Sequence, residues 1–114
     1  MPDVVFGPTK VGDRKDALLL QLKHGDGTPA DLTGLTTADV RIHIKNLVTG
    51  VVQQSNVSAI VTPASGIVRY DPTAADVAEI RDYEIEVKVT FSVGITKRFP
   101  NCDRFLWPVV ANLA

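Results

Sequence analysis

From Tyr83 to Phe91 the chain reads Tyr-Glu-Ile-Glu-Val-Lys-Val-Thr-Phe, nine positions of apolar and polar side chains in strict alternation. A period of two predicts a strand with one buried and one wet face. Val40, Ile42 and Ile44 alternate in the same way with Arg41, His43 and Lys45, predicting a strand whose outer face is cationic. Asn46-Leu47-Val48-Thr49-Gly50 supplies a hairpin turn, with a return strand over Val51 to Gln54. Ala17 to Leu22 places Leu18, Leu20 and Leu22 on one side. The dense turn sequence His24-Gly25-Asp26-Gly27-Thr28-Pro29 that follows favours a strand over a helix there. Further short strands are expected over Val57 to Val61, Ile67 to Tyr70, Ile95 to Phe99 and Phe105 to Val110. Pro108 cannot donate to a central ladder, which places the last of these at an edge or bulge.

Thr73-Ala74-Ala75-Asp76 has the spacing of a helix cap followed by a capping acid, and predicts one or two helical turns over Ala74 to Ile80. Residues 1–15, with Pro2, Gly7, Pro8 and Gly12, read as an extended N-terminal arm, and residues 16–114 as the folded unit. About seven or eight short strands, with turns roughly every 8 to 12 residues, define an all-β class: an antiparallel sandwich with one short helical corner.

Composition agrees with a folded chain. Of 114 residues, 45% are apolar and 22% charged, too hydrophobic for disorder and long enough to close a core without disulfides or metal. A net charge of -1 provides no global field toward nucleic acid or anionic lipid, so neither is expected as a partner. The longest apolar runs, such as Ala17 to Leu20, fall far short of the roughly 20 residues of a membrane span. Met1-Pro2-Asp3 lacks a secretory start and Cys102 has no second cysteine to pair with, so synthesis in the cytosol is expected.

No catalytic set emerges. His24 and His43 fall on a turn and on a strand's outer face, and read as surface residues rather than metal ligands. Cys102 precedes Asp103, whose charge raises a thiol pKa instead of activating it. Gly25-Asp26-Gly27-Thr28 with Asp31 offers two carboxylates where calcium wants six to eight oxygens, and reads as a β-turn. Glu84 and Glu86 share a face with Lys88 and read as a solvated row. Arg41, His43 and Lys45 lack the interleaved aromatics of a single-strand reader. No cofactor is expected and no enzyme activity. Phe105, Trp107 and Pro108 either seal the sandwich or anchor an interface, and with Val110 and Phe6 they are the candidate interface residues.

Gly12-Asp13, the turn from Asp26 to Gly34, Gly66-Ile67-Val68-Arg69-Tyr70, Tyr83-Glu84-Ile85-Glu86-Val87 and Arg98-Phe99-Pro100 occur in an order and spacing that resemble the N-terminal immunoglobulin-like domain of phage baseplate upper proteins, over roughly residues 10 to 110. Arg81 stands where the family's Gly-x-Tyr has glycine. Tyr83 lies two residues before Ile85, the spacing of a tyrosine corner, with Ile85 at the position of the second core cysteine. The resemblance implies a virion structural part, a small tail or baseplate adaptor docking on other virion proteins in multiple symmetric copies. The alternative it leaves is a capsid decoration or cement protein. A carbohydrate-binding module would instead need Trp107, Tyr70 and Tyr83 as an exposed platform.

Overall fold

The computed structural model describes residues 4–6, 8–13, 17–92, 94–100 and 104–111. Strands hold 53% of the chain and helical turns 6%, in two sheets, so the all-β class expected from the alternation holds. The first strands are β1 (Val4–Val5), β2 (Thr9–Lys10), β3 (Leu18–Gln21), β4 (Val40–Asn46) and β5 (Val52–Asn56). They are followed by β6 (Ala59–Thr62), β7 (Ile67–Tyr70), β8 (Arg81–Ser92), β9 (Ile95–Phe99) and β10 (Phe105–Val110). The larger sheet runs β1-β10-β8-β4-β5, with β2 also on β10 and β9 also on β8; the smaller runs β3-β7-β6.

β8 is the spine of the larger sheet. Its residues 83 to 89 pair with β4 on one side, while on the other side β10 takes Arg81 to Ile85 and β9 takes Val87 to Ser92. The alternation sets which side chains turn inward: Tyr83, Ile85, Val87 and Val89 are buried, and so are Val40, Ile42 and Ile44 across the ladder. Leu18, Leu20 and Val68 close over them from the smaller sheet in one continuous apolar cluster. Burial of such side chains, about 1.5–3 kcal/mol each, is the main force joining the two layers.

Leu22 continues β3 by donating to the Gly66 carbonyl at 2.8 Å and accepts from the Ala30 amide at 2.8 Å. This crossing needs glycine. Gly66 has φ +68° and an added Cβ would lie 2.7 Å from both the Ala30 and Leu22 carbonyl oxygens.

Two expectations are corrected. Phe105 to Val110 is not an edge strand, since β10 lies between β8 and the N-terminal strands, which run parallel to it. β1 pairs with Phe105 and Leu106 and β2 with Val109 and Val110, leaving Pro108 opposite the break between them. The Phe6 and Val11 amides donate to the Leu106 and Val110 carbonyls, so even-numbered residues of β10 face the N-terminal strands. The donor that proline lacks would have pointed into that break, which is how an interior strand tolerates it. Within the segment read as an arm, Val4–Val5 and Thr9–Lys10 are therefore extended but stitched to the sheet.

The helical corner is also absent from Ala74 to Ile80, where the chain makes hydrogen-bonded turns. The cap itself forms: the Thr73 amide donates to the Asp76 carboxylate at 2.9 Å, and the Asp76 amide donates to Thr73 Oγ1 at 3.3 Å. Asp76 is drawn inward, 1% exposed, by partners elsewhere, and no helix propagates from it. Among the described residues the helical turns are single 3-10 turns at Thr37–Asp39 and Pro63–Ser65.

Candidate docking surface

Trp107, Phe105, Tyr83 and Tyr70 belong to the core, which corrects the reading of Phe105 and Trp107 as interface anchors. Trp107 is fully buried and Phe105 is 5% exposed. The Trp107 ring stacks on Tyr83 with centroids 5.1 Å apart and meets Tyr70 edge-on at 6.4 Å, and its Nε1 donates to Thr9 Oγ1 at 2.8 Å. A side chain held this way has no face left for a partner, and the three rings form no exposed platform. Phe6 packs edge-on against Phe105 at 5.6 Å, at the margin of the core, while Pro108 and Val110 are half-buried.

Behind the rings lies a buried polar node that sequence reasoning took for a helix cap. Asp76 accepts from the Tyr70 hydroxyl at 2.5 Å and from Gln53 Nε2 at 2.8 Å, and its carbonyl accepts from the Tyr83 hydroxyl at 2.7 Å. Burial first, and then the bond to the Asp76 carboxylate, push the Tyr70 phenol above its ordinary pKa. Tyr83 is raised as well, chiefly by burial. That hydroxyl's bond, to a backbone carbonyl seven residues upstream, ties β8 to the turn before it. This node fixes the chain between the layers and leaves no open acid for chemistry.

The outer face of the larger sheet is where side chains meet solvent. Arg41, His43 and Lys45 lie opposite Lys88, Glu86 and Glu84 of β8, so acids sit beside the basic row. Glu86 takes Arg98 at 2.8 Å and Glu84 is 3.9 Å from Arg104. The two glutamates thus pair with arginines, as expected of a solvated row. Burial, then Arg98, with Arg41 and Lys88 adding to it against Glu86, holds the His43 imidazole below its ordinary pKa. The unfolded chain therefore takes up a proton first as pH falls below about 6.5, and the folded state loses stability just under that value. Urea midpoints at pH 7 and pH 5 are expected to differ less in His43→Gln than in the parent.

Toward the N-terminal strands this face becomes apolar. Val5, Leu47, Leu106 and Pro108 line a cleft of about 280 Å³, with Asp82 and Arg104 as its charged walls. Val5 is 61% and Leu47 43% exposed. Three distant segments build it: Leu106 and Pro108 lie on β10, Val5 pairs with Leu106, and Leu47 is tied to β8 by its amide bond to the Asp82 carbonyl at 3.0 Å. Sequence reasoning found Pro108 and missed Val5, Leu47 and Leu106, which only the strand order brings together.

The remaining candidates stay structural. His24 is half-buried, 2.8 Å from Lys97 Nζ and tilted against the Phe99 ring. Asp26 and Asp31 each accept from the amide and hydroxyl of the threonine two residues on, closing local turns that hold both carboxyls below their ordinary pKa. Among the described residues no group of three or more His, Cys, Asp or Glu side chains is placed to hold a metal ion. Cys102 lies outside the described residues.

No family model matches the chain, and a search of curated proteins finds no match.

Proposed function

We propose that this chain is a virion structural protein of a phage, a small tail or baseplate adaptor that works by docking on neighbouring subunits. The observation that carries the docking part is the cleft of Val5, Leu47, Leu106 and Pro108, an apolar centre with Asp82 and Arg104 at its margin on a face where Glu86 and Glu84 sit beside arginines. That is the anatomy of a protein contact, with an apolar centre and a polar rim.

The virion setting is supported by the sequence blocks that resemble baseplate upper proteins. The immunoglobulin-like reading behind them is supported by the strand order. Across the sheets, β3, β7 and β6 follow the B-E-D order of such folds, and β10, β8, β4 and β5 the G-F-C-C′ order. The chain departs from the antibody pattern in having its tryptophan on β10 instead of the strand equivalent to C.

Antibody against the chain is expected to label the tails of purified particles, and Leu47→Lys to lower incorporation at least tenfold while leaving the circular dichroism spectrum unchanged. Particles that lack the chain would overturn the reading. Label on heads, in hundreds of copies, would replace it with the capsid decoration alternative.

A further inference from the structure

Sheet edges are where a β-sandwich exposes unpaired backbone, and proteins normally guard them with proline, charge, bulges or brevity. On four of the five edges among the described residues such guards are visible, and on β9, which pairs with β8 alone, they are the charges of Lys97 and Arg98. β1 and β2 are two-residue pieces flanking Pro8, β6 carries a register shift between Ile60 and Thr62, and β3 is four residues long and runs on to Lys23. β5 has none. Val52-Gln53-Gln54-Ser55-Asn56 is five residues without charge, proline or bulge, paired with β4 alone.

Its free side can be read from the ladder. The Asn46 amide donates to the Val51 carbonyl at 2.9 Å and the Val57 amide donates to the Val40 carbonyl at 3.0 Å. Odd-numbered residues therefore face β4, and the amides and carbonyls of Val52, Gln54 and Asn56 point away from the sheet. Val52, at the start of this row, is 49% exposed and Val51 beside it 64%.

We infer that β5 pairs with β5 of a second copy, antiparallel and centred on Gln54, to form a two-fold dimer with a sheet continuous across the axis. The strand is complementary to itself in that register. Gln54 faces Gln54, and Val52 faces Asn56 in both directions, so each outward amide meets a carbonyl in about six hydrogen bonds. No ionised side chain approaches its like. The nearest rows of charge, Arg41 of one copy and Lys45 of the other, stand three strand spacings apart, roughly 14 Å, beyond the screening length of about 10 Å at 0.1 M salt. A charged partner strand would find nothing on β5 to pair with, whereas a second copy meets a neutral edge like its own. The inference holds whether or not the virion reading does.

Sedimentation velocity and amide exchange by NMR, run on the whole chain at about 20 μM and about 1 mM, test it. A dimer is expected at the higher concentration, with exchange slowed about tenfold at the amides of Val52, Gln54 and Asn56 and unchanged at those of Gln53 and Ser55, which are already bonded within the monomer. Gln54→Pro deletes an outward amide that the intramolecular ladder does not use. Gln54→Lys sets two cations against each other at the axis. Both variants are expected to remain monomeric with the parent's circular dichroism spectrum. A parent that stays monomeric at 1 mM would overturn the inference. So would a dimer that leaves the three amides unprotected, or one that persists in Gln54→Lys.

Discussion

Replacing Trp107 with alanine is expected to lower the unfolding free energy by about 4–5 kcal/mol, the upper part of the range for deleting a large buried ring. Three losses coincide at this position. The fully buried indole leaves a cavity between the layers, Tyr83 loses its stacked neighbour at 5.1 Å, and Thr9, itself 7% exposed, loses its donor. Because Thr9 begins β2, the pairing of Val109 and Val110 with the N-terminal segment weakens with it. Against a total stability of about 5–15 kcal/mol for a domain of ordinary size, that loss is between about a third and nearly all of what holds the fold. Trp107→Phe keeps most of the apolar volume and loses the indole donor, and is expected to cost about 2 kcal/mol. Trp107 is the sole tryptophan, so unfolding must be followed by circular dichroism in urea instead of indole fluorescence. A loss under about 1.5 kcal/mol for the alanine variant would mean that the ring is not the packed centre described here.

The layers of this fold are legible in the sequence wherever one face of a strand is wet. Val40, Ile42 and Ile44, then Tyr83, Ile85, Val87 and Val89, and Leu18 with Leu20 all turn inward as their alternation requires. What escaped reading depends on neighbours far along the chain. The rule that proline avoids interior strands fails at Pro108 because β1 and β2 part around it, a fact of pairing more than 95 residues away in sequence. Trp107 carries the same local pattern whether it seals a core or anchors a partner, and only Tyr70, Tyr83 and Thr9 decide between them. β5 shows no alternation at all, since Gln53 and Gln54 are both exposed, and its importance as an open edge appears only once β4 is known to be its sole neighbour. The docking cleft is the least legible feature, because Val5, Leu47 and Leu106 look like scattered surface hydrophobics until the strand order gathers them.

Asp76 shows how a local motif can be satisfied in its bonds and still mislead about structure, and its removal is the second large effect. Asp76→Ala is expected to cost about 3–4 kcal/mol, since a buried carboxylate that accepts several hydrogen bonds leaves each donor unsatisfied when it goes. The Tyr70 hydroxyl, Gln53 Nε2 and the Thr73 amide would all lose their acceptor, and of these the Tyr70 hydroxyl is the one that water cannot readily reach. The backbone bond from Tyr83 to the Asp76 carbonyl does not depend on the carboxylate, so the turn should loosen without detaching from β8. Tyr70→Phe removes the most deeply buried of the stranded donors. In the double variant Tyr70→Phe/Asp76→Ala the loss is therefore expected to be smaller than the sum of the single losses by about 1–2 kcal/mol. Strictly additive losses would show that the two groups do not interact. Alkaline pH offers an independent probe of the same bond. The folded state holds the Tyr70 phenol protonated, so the stability it contributes is complete below about pH 10, the pKa of an unfolded tyrosine, and declines as pH rises further. Tyr70→Phe abolishes that tyrosine's share of the decline, which unfolding midpoints measured at pH 8 and pH 11 would reveal as a flatter profile than the parent's.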